Sequence, residues 1–276
     1  MQKAIIRVWG GIGNQLFIYA FAKLLFLRHN IPVLLDIRTG FTNDGYHRKY
    51  KLNSFNISIK TTFLYYTLFP FFNKRRFLKK IFFPNVVLYE EDLSNPIENI
   101  SPDSFSNLSM PIVFFQGYWQ SLDFRDIRNE LISDLKFNLK EIPQFSFYKS
   151  KILNSKTSVA IHFRRIEYSS VLSLSYYEKA IKYFCDNVAS PDFYIFSDDI
   201  EWCRKNIDNS KNNFCFIENF DDELHELNLM SKCSNFIIAN SSFSWWGTWL
   251  SENNDKIVIM PEGYTNISMN GRIVYL

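Results

Sequence analysis

No stretch of about 18 apolar residues occurs in this 276-residue chain, so no membrane-spanning helix is expected. Cysteine is scarce and wrongly spaced for chemistry. Cys185, Cys203, Cys215 and Cys233 never form a CxxC pair, which leaves no zinc signature and no disulfide framework. Cys185 and Cys233 fall within helix-like patterns and read as free buried thiols. Charge of either sign is nearly balanced: the formal net charge of +3 is too small for a protein that holds nucleic acid by charge. Ser197-Asp198-Asp199 lacks the D-x-D spacing of a metal-binding acidic pair, and no metal site is expected. The Met-Gln-Lys start leads into a strand-like run without signal-peptide layout, so a cytoplasmic protein is expected.

Apolar residues make up 47% of the chain and aromatics 18%, with 28 Phe and 15 Tyr, enough for a substantial core with aromatic faces to spare for sugar binding. The opening reads as strand Ala4–Trp9, a tight flexible turn over 10–14, a helix over Gln15–Arg28 and a second strand over Ile31–Asp36. Pro111–Trp119 is strand-like and Asp126–Lys136 helical. In the second half, strands are expected near 157–162, 193–197, 214–217, 235–239 and 256–260. Helices are expected over 175–188, 199–206, 222–232 and 243–251, the first opened by a Ser175/Glu178 capping box. Strict alternation of this kind predicts a parallel sheet with helices on both faces. The expected fold class is α/β, with two Rossmann-type halves facing a central cleft. The boundary is expected in 139–156, where Glu141-Ile142-Pro143 breaks the periodicity, giving halves 1–145 and 146–276.

Two signatures stand where short apolar runs end, the place where open α/β sheets bind ligands. One is Ala160-Ile-His-Phe-Arg-Arg-Ile-Glu-Tyr168. Alternation puts Arg164 in line with His162, and its guanidinium matches the forked geometry of a diphosphate. Arg165 is expected to be anchored by Asp198 or Asp199. The other is Ile238-Ala-Asn-Ser-Ser-Phe-Ser-Trp-Trp-Gly247, a strand-to-helix junction. There the free N–H groups make an anion site, or the serines simply cap the helix. Trp245, Trp246 and Trp249 read as packing residues. Gly11-Ile-Gly-Asn-Gln-Leu16 approaches a dinucleotide fingerprint, with Asp36 at the distance of a ribose-binding acid, but Leu16 stands where a small residue is needed. A dinucleotide oxidoreductase is therefore a rival. Phe69 to Phe83 interleaves basic and aromatic residues, which suits either a solvated helix with a buried aromatic face or a patch resting on anionic lipid.

Taken together, Gly10-Gly-Ile-Gly-Asn-Gln-Leu-Phe17, His162-Phe-Arg-Arg-Ile-Glu-Tyr168 and Asn240-Ser-Ser-Phe-Ser-Trp-Trp-Gly247 resemble the α-1,2-fucosyltransferases of glycosyltransferase family 11. Lesser matches are Gln116-Gly-Tyr-Trp-Gln120, Phe193–Asp199 and Leu229–Cys233. The resemblance implies a GT-B-like fold and GDP-β-L-fucose as donor, with no cofactor. It also implies inverting, metal-independent transfer to the 2-hydroxyl of a galactose-terminated acceptor in O-antigen or capsule synthesis, the acceptor carried on a lipid at the inner face of the cytoplasmic membrane. Carried over by position, His162 and Arg164 contact the nucleotide and diphosphate. Ser241 and Ser242 line the phosphate site, Asn14 lies near fucose, and Glu226 reads the guanine edge. The catalytic set is then Arg164, Asn14 and Glu167. The donor-binding set adds His162, Arg165, Asp198, Glu226, Asn240, Ser241, Ser242, Phe243, Gly11 and Gly13. Glu167 and the Asp198/Asp199 pair are candidates for the base. Two departures stand out: Ile166-Glu167 replaces the usual Gly-Asp, and Glu226 replaces the commoner Asp. A fucosyltransferase of α-1,6 type and a non-catalytic GDP-sugar-binding protein remain alternatives.

Overall fold

The computed structural model describes residues 3–42, 44–62, 64–91, 111–166, 171–208, 210, 212–263 and 269–276. The chain forms two units, Met1–Asn138 and Leu139–Leu276. The second unit therefore begins with a helix that the sequence pattern assigned to the boundary. Pro143 opens that helix instead of breaking structure, because a proline at the first helical position gives up only an N–H that would be unpaired anyway. Phe145, Tyr148 and Ile152 then bury its inner face, and the Tyr148 hydroxyl donates to the Phe216 carbonyl at 3.1 Å.

The first unit contains β1 (Lys3–Trp9), α1 (Ile12–His29), β2 (Val33–Gly40), α2 (Leu64–Thr67), α3 (Phe69–Asn73), α4 (Arg76–Phe82), β3 (Val86–Glu90), β4 (Ile112–Gln116) and α5 (Arg128–Asp134). Its four strands are all parallel, in the order β2-β1-β4-β3. Ile5, Phe69, Phe83, Val86 and Phe114 form one core cluster beneath α3 and α4. Helix α1 starts three residues earlier than its pattern suggests. Only Gly10 (φ +79°) and Gly11 make the turn, and Gly13 and Asn14 ride on the first helical turn. Gln15 explains the early start. Its buried amide donates to the carbonyls of Gly10 and Lys49 and accepts from the Lys51 N–H, pinning the turn from inside.

The second unit contains α6 (Pro143–Asn154), β5 (Ser158–Phe163), α7 (Leu174–Asn187), β6 (Asp192–Ser197), α8 (Ile200–Asn206), β7 (Asn213–Phe216), α9 (Glu223–Ser231), β8 (Asn235–Ile237), α10 (Ser242–Trp249), β9 (Ile257–Met260) and β10 (Arg272–Tyr275). Its six parallel strands run β10-β9-β8-β5-β6-β7. Strand β5 is buried along its whole length, as expected for a central strand with both faces covered. The chain winds outward from β5 through β6 to β7, then returns to the other side of β5 for β8, β9 and β10. The order in which strands are added reverses between β5 and β8, the kind of switch point at which open α/β sheets bind ligands.

Three local readings are corrected. Helix α7 starts at Leu174 with Ser173 as its N-cap, and no side chain caps it; the Ser173 and Ser175 hydroxyls lie 3.2 Å apart, so the Ser175/Glu178 box is not formed. Cys185 is exposed, whereas Cys233 is buried as expected. Strands β3 and β10 were not anticipated; their short apolar runs lie outside the clear β/α alternation.

Candidate active site

The carboxyl end of β5 delivers His162, Phe163, Arg164 and Arg165 to the switch point. His162 is 4% exposed, with its ring 5.3 Å from that of Phe243 on α10. Burial, aided by the nearby Arg164 cation, drives its imidazole down to about 3, so it is neutral at ordinary pH. It can therefore offer a hydrogen bond to a nucleotide but not a charge. Its Nδ1 has no hydrogen-bond partner among the described residues, an uncommon condition for a buried polar atom.

The two arginines separate as the strand alternation requires. Arg164 Nη1 lies 3.1 Å from Asp198 Oδ2. That same carboxylate accepts the backbone N–H groups of Arg165 (2.8 Å) and Ile166 (3.1 Å), so Asp198 fixes the chain as it leaves β5. Arg165 turns elsewhere: its guanidinium lies 3.5 Å from the centre of the Trp202 ring, and its Nε is 3.7 Å from Asp199. Of the two anchors anticipated for Arg165, its side chain uses Asp199, while Asp198 takes its backbone. Asp199 also caps α8 by accepting from the Trp202 N–H. Glu167 lies outside the described residues.

On the neighbouring strand, β8 gives way to Asn240, Ser241 and Ser242 at the N-terminus of α10. Ser241 is the N-cap, accepting from the Phe243 N–H at 3.3 Å. Ser244 donates back to the carbonyls of Ala239 and Ser241, closing the turn. The side chains of Asn240 and Ser242 have no hydrogen bond among the described residues. Capping and an open anion-binding turn thus coexist, on different serines. Trp245, Trp246 and Trp249 are buried and packed on one another, which rules out a stacking role on a base.

Helix α10 can approach α9 because residue 247 is glycine. A Cβ there would sit 2.6 Å from Met230 Sδ. Glu226, in the first turn of α9, is half-buried and has no polar partner among the described residues. Burial, with Glu223 adding repulsion, pushes its carboxyl up to about 7.

Two tyrosines that the sequence did not flag hold this end of the sheet. Tyr177 donates to the His162 carbonyl at 3.1 Å; Tyr176 donates to the carbonyls of Ile238 (2.7 Å) and Ile259 (3.2 Å). The phenols thus satisfy carbonyls at or just past the strand ends, and the Ile259 carbonyl also accepts from the Ile238 N–H. The signal was present in Tyr176-Tyr177 at the start of a helix, but nothing in the periodicity tied it to the strand ends.

In the first unit, the central strands β1 and β4 end side by side, and the polar groups there are turned inward. Asn14 Oδ1 accepts from Gln120 Nε2 at 2.8 Å, and the Tyr118 phenol also bonds to Asn14. Tyr118 stacks on Trp9 with ring centres 4.2 Å apart. Gly11 has open space beside its Cα, while Gly13 is buried in α1. Asp36 is fully buried and accepts from the Arg38 N–H, the Thr39 N–H and the Thr39 hydroxyl. Fully buried, it is out of reach of a ribose, which removes the structural basis of the oxidoreductase rival. Among the described residues no three His, Cys, Asp or Glu side chains cluster as metal ligands.

The Glycosyl transferase family 11 pattern matches residues 4–270. The chain belongs to glycosyltransferase family 11. Similar family members include the α-1,2-colitosyltransferase of Escherichia coli, 33% identical over 95% of this chain and 92% of that protein. The O-antigen biosynthesis glycosyltransferase WbnK of Escherichia coli is 31% identical over 91% of each. Galactoside α-(1,2)-fucosyltransferase 1 of Leontopithecus chrysomelas is 25% identical over 60% of this chain and 52% of its own length. Among solved structures, fucosyltransferase NodZ from Bradyrhizobium superposes with a TM-score of 0.57 at 12% identity, covering 91% of this chain and 93% of that one. A NodZ α-1,6-fucosyltransferase crystal soaked with GDP-fucose gives 0.57 at 11%, over 97% of both chains. The family 11 chain thus has the α/β, GT-B-type fold of those enzymes, and it is a glycosyltransferase.

Proposed function

We propose that this enzyme transfers L-fucose from GDP-β-L-fucose to the 2-hydroxyl of a β-galactoside, with inversion and without need of a metal. The observation that carries the reading is the pairing, at one switch point, of Arg164 on β5 with the open N-terminus of α10 beside β8. Such a pair suits a departing diphosphate: a planar cation on one side and unpaired N–H groups on the other. As the bond from the anomeric carbon to GDP lengthens, negative charge grows on the phosphate oxygens. Arg164 and the serine turn are already placed to stabilise it, so little reorganisation accompanies the step. The galactose 2-hydroxyl attacks from the opposite face and gives up its proton, with Glu167, Asp198 and Asp199 as candidate bases. Asp198 sets the direction of Arg164, His162 offers a neutral hydrogen bond to the donor, and Phe243 covers His162. Asn240, Ser241 and Ser242 border the phosphates. Glu226 accepts from the guanine edge.

The α-1,2 linkage is favoured by the names of two relatives, the colitosyltransferase and the galactoside fucosyltransferase, which share it. The acceptor we propose is a galactose-terminated O-antigen or capsule glycan on a lipid carrier at the cytoplasmic face of the membrane, in line with WbnK. A second donor has specific support: the colitosyltransferase covers almost the whole chain at 33% identity. Colitose is L-fucose without its 3-hydroxyl, and one site built for the diphosphate serves either sugar.

The test is incubation of the purified enzyme with GDP-fucose or GDP-colitose, EDTA and β-galactosides such as lactose, followed by quantification of released GDP and linkage analysis of the product. A 2-O-fucosylated galactoside formed despite EDTA supports the reading. Product from GDP-colitose alone moves the donor to colitose, and absence of GDP binding overturns the nucleotide site.

A further inference from the structure

Helices α3 and α4 carry two kinds of aromatic residue. Phe69 and Phe83 are buried in the core cluster, with Lys79 Nζ 5.6 Å from the centre of the Phe69 ring. The outer residues are exposed: Phe77 is 76% exposed, Phe71 55%, Ile81 54% and Phe82, which stacks on Phe72, 48%. A buried aromatic face therefore accounts for only part of this segment. Phe77 and Ile81 stand one helical turn apart and share a face. Single exposed apolar residues are ordinary, but four within 12 positions call for a partner.

Charge identifies that partner. Lys74, Arg75 and Lys80 are exposed among these apolar side chains. Between Asp44 and Glu90 the chain contains no acidic residue at all, although 31 basic and 28 acidic residues nearly balance over its length. Cations are thus segregated around an apolar patch, the pattern that binds headgroup charge while inserting side chains at the acyl boundary. A second copy of this chain would have to bring the same basic surface against itself, which charge repulsion opposes.

We propose that the outer face of α3 and α4 is a docking surface for an anionic lipid bilayer, entered by Phe71, Phe77, Ile81 and Phe82 and held by Lys74, Arg75 and Lys80. The surface stands independently of donor and acceptor identity, since it involves no residue of the candidate site. Docking here keeps the enzyme at a membrane without a spanning helix, and the described residues include no helix long and apolar enough to cross one.

The full-length protein is sedimented with vesicles of phosphatidylcholine, alone or mixed with phosphatidylglycerol. Binding is expected only to the mixed vesicles and is weakened by salt. Lys74→Gln, Arg75→Gln and Lys80→Gln combined should lower partitioning about a hundredfold, at roughly fivefold per cation. Phe77→Ser with Ile81→Ser should lower it about tenfold or more, as buried apolar area is lost. An unchanged Tm and an unchanged rate toward soluble lactose show that these variants fold. Equal binding to both vesicle types, or none to either, overturns the proposal. So does a dimer in sedimentation velocity that Phe77→Ser dissolves without any vesicle binding, since that makes a second copy the occupant. The vesicle readout requires no donor, so failure of the transfer reading leaves it intact.

Discussion

Each unit of this enzyme has a parallel sheet whose central strands end side by side, and the two ends are finished differently. At the β1/β4 end, most polar groups are consumed within the protein, although the buried Arg7 Nε has no partner there among the described residues. Asn14 bonds Gln120 and Tyr118, Gln15 pins the turn, and Asp36 is wholly engaged by residues 38 and 39. At the β5/β8 end, His162 Nδ1, Asn240 and Ser242 lack partners among the described residues, and Glu226 on α9 is likewise unpaired. The cost in stability falls on the buried His162 Nδ1 and the half-buried Glu226; Asn240 is exposed and Ser242 half-exposed, so these two stay solvated and open to a ligand. This contrast supports the proposal that the nucleotide belongs to the second unit, with the glycine turn of the first chiefly architectural.

The sharpest way to break this comparison is Arg164→Ala. Losing a preorganised donor to developing charge typically lowers the rate about 100- to 1000-fold. Steady-state kinetics retaining more than about a third of wild-type turnover would remove Arg164 from the site. Asp36→Ala, at the other sheet end, should act on stability alone. It strands buried donors that now share one carboxylate, for a loss of about 3 kcal/mol in denaturant unfolding with the donor KM unchanged. A raised KM at full stability would restore a ligand role to that end.

Glu226 adds a pH signature. Its carboxyl is raised from 4.5 to about 7, so the folded state prefers it protonated. The stability it contributes is fully present below 4.5 and is lost as pH rises through about 7. A guanine that requires the carboxylate gives the opposite trend in binding: below 7, GDP affinity should fall about tenfold per pH unit, and Glu226→Gln should bind weakly with a flat profile. A wild-type affinity that does not change with pH, together with equally tight binding by Glu226→Gln, would leave this residue outside the site. The smallest effect is expected from Tyr176→Phe. Removing the phenol leaves the Ile238 carbonyl unpaired, lowering stability by about 1 kcal/mol while KM rises only modestly.

Much of this architecture was legible because both sheets are parallel and buried, so the strands read as short apolar runs separated by helical periods. The legible part included the two segments that meet at the switch point, since strand ends and helix starts are where the sequence changes character. What stayed hidden was set by tertiary partners. Lys23 reads as a polar break in an apolar helix, yet it is buried against Asp134 at 2.6 Å, more than 100 positions away in sequence. Gln15 looks like an ordinary first-turn residue, and only the loop at 49–51 reveals why it starts the helix early. Ser175 and Glu178 have capping-box spacing, but the chain enters α7 two residues too soon to use it. The division of labour between Arg164 and Arg165 was half readable: alternation separates them, but Trp202 and Asp199 decide where Arg165 goes.

The claim that the second unit's switch point holds the nucleotide is tested most directly by calorimetric titration of GDP into the full-length enzyme and into Arg164→Ala. The account predicts saturable binding at one site in the wild type and a loss of at least about tenfold in affinity in the variant, since a hydrogen bond to a charged group contributes about 1.5–3 kcal/mol. Equal affinity in the two proteins would contradict it and place the diphosphate elsewhere.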